Sequence, residues 1–136
     1  MVYVFDSSFI AALILPDGKN KKTDSIFSRI TEDEEIHVPA LLWYEMGNIL
    51  KNLVRRGRFK YQDALGLIPA LSALRLTTDL AQGSPYTEKL LRLAQDYALG
   101  SYDAAYLELA GRKKASLCSW DEALRKAAAR YGIPLV

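Results

Sequence analysis

Residues 2–8, Val2-Tyr3-Val4-Phe5-Asp6-Ser7-Ser8, set four apolar side chains before one carboxylate and two hydroxyls, and a second apolar run follows. This order predicts a short buried strand that delivers Asp6 to its C-terminal end. A helix starts at once, capped by Ser7 or Ser8. In open α/β sheets, ligands bind in the crevice beyond the carboxyl ends of the strands. An acid placed there by the first strand is a candidate site residue. The rival reading makes Asp6 a helix cap and nothing more.

The 136 residues suit one domain over 1–136 with a sizeable core. Half are hydrophobic, a quarter are charged and the formal net charge is +2, so totals alone give no argument for a nucleic-acid partner. Cys118 is the one cysteine, which excludes an intrachain disulfide and favours a reducing compartment. The apolar run 9–15 is too short to span a bilayer, and no basic segment precedes it. A cytoplasmic protein with no membrane association is expected.

Further strands are predicted at 36–38, 75–78 with Asp79 just beyond, 115–118 and 133–136. Between them the spacing predicts helices over 9–15, stopped by Pro16-Asp17-Gly18, and over 23–30, 40–55 and 61–74, the last kinked at Pro69. Ser84 is expected to cap a helix that has Pro85 at its first position and runs to about Leu99. Helices over 103–114 and 121–131 complete the set, the last opened by a capping box from Ser119 to Glu122. Strands separated by helices imply an α/β protein with a parallel sheet covered on both faces.

Four acids stand out by position. Asp6 ends the first strand. Glu45 interrupts the stripe Leu41, Glu45, Ile49, Leu53, and Asp103 belongs to the stripe Asp103, Tyr106, Leu107, Ala110. Asp121 follows the fourth strand at a helix start. Separate accounts exist for each: a cap for Asp6, a basic partner for Glu45, helix-dipole complements for Asp103 and Asp121. Burying a carboxylate without a partner is costly. One shared account covers all four, a hard divalent cation with oxygen ligands. His37, just before Pro39 in a strand pattern, reads as structural, so no histidine or cysteine catalyst is in view.

The segments V-Y-V-F-D-S-S with Asp6, V-P-A-L-L-W-Y-E-M-G-N-I-L with Glu45 and Asn48, Y-D-A-A-Y-L-E-L-A with Asp103 and S-W-D-E-A-L with Asp121 occur in that order over nearly the whole chain. Together they resemble the PIN-domain family and, within it, the short VapC-type toxins of type II toxin–antitoxin modules. Ser119 stands where that family typically has Thr and keeps the hydroxyl. Residues 51–80 carry no family signature. The resemblance implies a three-layer α/β/α sandwich around a central parallel sheet, and a metal-dependent ribonuclease. It makes Asp6, Glu45 and Asp103 the main Mg2+ or Mn2+ ligands, with Asp121 completing the cluster. Ser7 or Ser8 and Ser119 would orient ligands or bound water, and Asn48, one turn after Glu45, would reach the same site. It also implies an RNA substrate, a cognate antitoxin that offers a basic side chain to the acids, and a homodimer.

The surface is less legible. Lys19, Lys21, Lys22, then Arg55, Arg56, Arg58, Lys60, then Arg112, Lys113, Lys114 read first as solvated helix ends and second as phosphate contacts. Trp43, Tyr44 and Trp120 are candidates for base stacking, although Trp43 reads first as packing. A haloacid-dehalogenase-like phosphatase would carry a second Asp where Ser8 stands. A receiver-type phosphoacceptor would need an acidic pair where Asp6-Ser7 gives one acid. A catalytically silent PIN-like module that binds RNA or protein is the second reading.

Overall fold

Four parallel strands carry the molecule: β1 (Val2–Phe5), β2 (Glu35–Pro39), β3 (Leu76–Asp79) and β4 (Ser116–Cys118), in the order β3-β2-β1-β4. The computed structural model describes residues 1–18 and 20–136; Lys19 of the first basic cluster lies outside them. Val4 pairs with His37 on one side and Leu117 on the other. Val4 and Phe5 are wholly buried, as a strand covered on both faces requires. Because all four strands run the same way, their carboxyl ends share one rim. The expected strand at 133–136 is instead a single bridge from Leu135 to Leu117. Pro134 has no N–H to donate, so the ladder does not extend.

The helices are α1 (Ser7–Ile14), α2 (Lys21–Ser28), α3 (Leu41–Arg55), α4 (Tyr61–Gly66), α5 (Ile68–Ser72), α6 (Ser84–Tyr97), α7 (Ser101–Lys113) and α8 (Glu122–Tyr131), with a 3-10 turn at Pro16–Gly18. Helix α7 lies against β1 and β2 with α6 and α8 packed on it, and α1 touches both α2 and α3. This is the expected sheet between helical layers. Helix α7 is buried along the whole stretch from Ala104 to Ala110, not on one stripe.

Several local expectations change. The helix over 61–74 is two helices meeting at Leu67, with Pro69 in the first turn of α5, where a missing N–H does no harm. Ser84 is inside α6; the cap is Gly83, at φ +100°, a backbone conformation that side chains rarely adopt. On α3 the buried face is Leu42, Met46 and Leu50, one residue on from the predicted stripe. Leu41, Glu45, Ile49 and Leu53 are therefore half-buried along its edge.

Candidate active site

Strand β1 delivers Asp6 to the rim, where it is 4% exposed. It is also the N-cap of α1, a role expected of Ser7 or Ser8, both of which lie inside that helix. Asp6 Oδ1 accepts from the Phe9 N–H at 2.9 Å and from Ser8 Oγ at 2.7 Å. Asp6 Oδ2 accepts from Ser119 Oγ at 2.5 Å. Each serine oxygen in turn takes a backbone N–H from the turn after β4: Trp120 on Ser8 at 2.9 Å, Asp121 on Ser119 at 3.0 Å. A carboxylate has about four lone-pair sites, so the bonds from Phe9, Ser8 and Ser119 leave Asp6 one to offer. Ser8 and Ser119 both bond Asp6, while Ser7 stands beside the Tyr106 hydroxyl.

The capping box from Ser119 to Glu122 does not form. Ser119 is engaged with Asp6, and Asp121 caps α8 by accepting from the Leu124 N–H at 2.8 Å. Asp6 and Asp121 are thus both caps and rim acids, so those two readings do not compete.

Glu45, one turn into α3, accepts at Oε1 from the Tyr106 hydroxyl at 2.5 Å. Tyr106 lies one turn after Asp103 on α7 and is 1% exposed. Asp103 is half-buried and accepts no side-chain hydrogen bond from the described residues. Asn48 is exposed and its side chain makes no hydrogen bond among the described residues, so the structure does not draw it in.

No Lys, Arg or His among the described residues stands within ion-pair distance of any of the four acids. Other carboxylates do find cations, such as Asp17 with Arg58 and Asp79 with Arg112. The consequence is electrostatic. Burial, aided by the Asp121 charge, pushes the Asp6 carboxyl above its ordinary range against the pull of its hydrogen bonds. Burial also raises Glu45, with the charges of Asp103 and Asp6 adding to it. Asp103 is raised by burial and then by Asp121 and Asp6. Asp6, Glu45 and Asp103 are each raised by the charge of at least one other of these acids.

That donor set is oxygen only and carries uncompensated negative charge, which suits a hard divalent cation. Among the described residues no three His, Cys, Asp or Glu side chains are grouped closely enough to enclose an ion by themselves. Mg2+ does not require such a cage, since it usually keeps several waters and takes one or two carboxylates. The oxygen-only donors are of the kind that would suit Mg2+ or Mn2+.

Around the rim, Trp120 is not free to stack on a base. Its Nε1 donates to Thr23 Oγ1 at 2.9 Å, its ring stacks on Phe9, and Lys22 and Arg125 lie 5.5 and 5.8 Å from the ring centre. Trp43, read first as packing, is 40% exposed and donates to Thr78 Oγ1; Tyr44, beside Glu45, is 79% exposed. Arg112 is not a free phosphate contact, because its guanidinium binds Asp79 and Glu108 together. His37 is structural, with Nε2 at 2.6 Å from Glu35 Oε2. The site residue that the sequence reading missed is Tyr106. Its position three after Asp103 in Y-D-A-A-Y was the available signal.

The profile described as PIN domain matches residues 3–130. Ribonuclease VapC3 of Pyrobaculum aerophilum is 27% identical over 124 residues, which cover 91% of this chain and 92% of that one. The crystal structure of PAE2754 from Pyrobaculum aerophilum superposes with a TM-score of 0.68 at 26% identity, over 93% of this chain and 87% of that one. A chain of VapBC2 from Rickettsia felis, solved with a DNA fragment from the promoter, superposes with a TM-score of 0.71 at 11% identity, over 100% and 98% of the two chains.

Proposed function

Because the chain belongs to the PIN-domain family, we propose that it is the toxin of a toxin–antitoxin pair, an endoribonuclease that depends on Mg2+ or Mn2+. What supports this is that the charges of these acids raise one another's affinity for the proton, Asp6 and Asp103 acting on Glu45, Asp6 and Asp121 on Asp103, and Asp121 on Asp6, and that no basic side chain among the described residues pairs with any of the four. The similarity to a protein named ribonuclease VapC3 supports the substrate class.

A phosphodiester is an anion, and four carboxylates alone repel it. A divalent ion, when bound, supplies the positive charge and the acidified water that phosphodiester hydrolysis needs. Asp6, Glu45, Asp103 and Asp121 would hold it. Ser8 and Ser119 keep Asp6 in one orientation, and the two backbone N–H groups on those serines keep the β4–α8 turn in place beside it. Of the basic residues proposed to meet flanking phosphates, Arg58 and Arg112 are engaged by carboxylates. Lys21, Lys22, Arg55, Arg56, Lys60, Lys113 and Lys114 remain the candidates among the described residues.

The proposed antitoxin and second copy need apolar surface. Tyr61, Leu65 and Ile68 are exposed along α4 and α5 and line a groove of about 210 Å³ with Leu50 and Val54 of α3. No helix among the described residues is long and apolar enough to cross a membrane.

The test is cleavage of a single-stranded RNA by the purified chain in millimolar manganese. Cleavage is expected, and EDTA or Asp6→Asn abolishes it. Activity surviving both treatments contradicts the metal-dependent reading. RNA binding without turnover identifies the silent module instead.

A further inference from the structure

Tyr106 is a buried phenol on a buried helix, and the one hydrogen bond it donates goes to Glu45 Oε1. The ring is packed on all sides and α7 is enclosed from Ala104 to Ala110, so the hydroxyl is a fixed point. Glu45 has the opposite character. It has three rotatable side-chain bonds, lies half-buried on the edge of α3 and receives no backbone N–H from the described residues. Asp6 and Asp121 are each held by an amide of the helix they cap. Asp103 is a short side chain on the same helix as Tyr106. Among the four acids and the described residues, Glu45 is the one held by a side-chain hydroxyl with no backbone N–H beside it, whereas Asp6 has both.

We propose that Tyr106 is a positioning residue for Glu45: its hydroxyl anchors Oε1 and leaves Oε2 as the oxygen offered to a divalent ion. The proposal rests on the metal-dependent reading above. Asp103 and Tyr106 are neighbours on one face of α7. The helix that supplies one acid therefore also sets the orientation of another, across the gap between α7 and α3. The bond is specific, because a hydroxyl donating to a carboxylate has a shorter and narrower geometry than an apolar contact.

Tyr106→Phe removes one oxygen and keeps the ring. Mn2+ binding to the protein alone, followed by the electron paramagnetic resonance signal of free Mn2+, is the main readout. Groups that orient metal ligands typically change affinity by about 10–100-fold, and a weakening of that order is expected. In a Glu45→Ala background the same substitution should change Mn2+ affinity by less than about twofold, because the two side chains act as one unit. RNA cleavage by Tyr106→Phe should climb back toward the wild-type rate as Mn2+ is raised.

Equal Mn2+ affinity in wild type and Tyr106→Phe, with Glu45→Ala weakened, overturns the proposal and leaves the metal reading standing. A full additional loss in the double variant overturns it as well. Wild-type protein that binds no Mn2+ overturns the reading and the proposal together. Should circular dichroism show the Phe variant unfolded, Tyr106→Met, which also lacks the hydroxyl, carries the same expectation and the same refutations.

Discussion

Ser119 and Asp6, 113 positions apart in the chain, are joined by a 2.5 Å hydrogen bond in which the serine hydroxyl donates. The same oxygen accepts the Asp121 N–H at 3.0 Å, so one side chain links the end of β1 to the start of α8. Its role as a pivot, with no part in capping α8, follows from the parallel pairing of β1 and β4, which brings both strand ends to one rim.

Ser119→Ala takes a donor from buried Asp6 and an acceptor from the Asp121 N–H. Leaving buried polar groups unsatisfied costs about 1–3 kcal/mol, and a fall of that size in unfolding free energy is expected in urea titrations. Nuclease activity should fall with it, and Ser119→Thr, which keeps the hydroxyl, should retain activity.

The acids also set the pH dependence of stability. Burial and the neighbouring charges hold Asp6, Glu45 and Asp103 above their ordinary range in the folded chain. A raised folded value means that the folded state binds the proton more tightly. The stability each contributes is complete below about pH 4, the ordinary carboxylate value, and is lost as pH rises through the folded value. Asp79 runs the other way: Arg112 holds it low, so its contribution is complete above that pH and lost as pH falls. Asp103→Asn isolates the first effect. Because Asp103 is only half-buried and screened by water, the variant should gain on the order of 1 kcal/mol at neutral pH, roughly 4 °C in Tm. The gain should vanish below about pH 4. Thermal unfolding in EDTA at the two pH values checks this, and a variant less stable at neutral pH refutes it.

Arg112 is a structural cation. Glu108 is 4% exposed, and without Arg112 its one remaining cation among the described residues is Lys89, at 3.6 Å. Breaking a buried pair by removing one partner costs about 3–5 kcal/mol. Arg112→Ala should lie near the lower end, since Arg112 is itself about one-third exposed. The slope of RNA affinity against salt should match wild type, because this charge is already engaged within the protein.

What the sequence made legible were the interruptions. Asp6 shows because an apolar run stops at it, and Glu45 shows because a carboxylate sits among apolar residues in mid-helix. Its stripe nevertheless marks the edge of the buried face, since one residue along α3 turns the face by about 100°. Pairings across the chain were not legible. Nothing local ties Arg112 to Asp79, 33 positions away, and the spacing of Tyr106 from Asp103 places it on the same face of α7 without showing that its hydroxyl reaches Glu45. The serines around Asp6 read as caps because a hydroxyl beside a helix start usually is one. Only the approach of β4 to β1 turns Ser119 toward the acid.

Crystals grown with Mn2+, measured for anomalous scattering from manganese, test the central claim most directly. The account predicts a peak bounded by Asp6, Glu45, Asp103 and Asp121 that disappears in Asp6→Asn. No peak among those four acids, or a peak only at another carboxylate cluster such as Asp79 and Glu108, would contradict it.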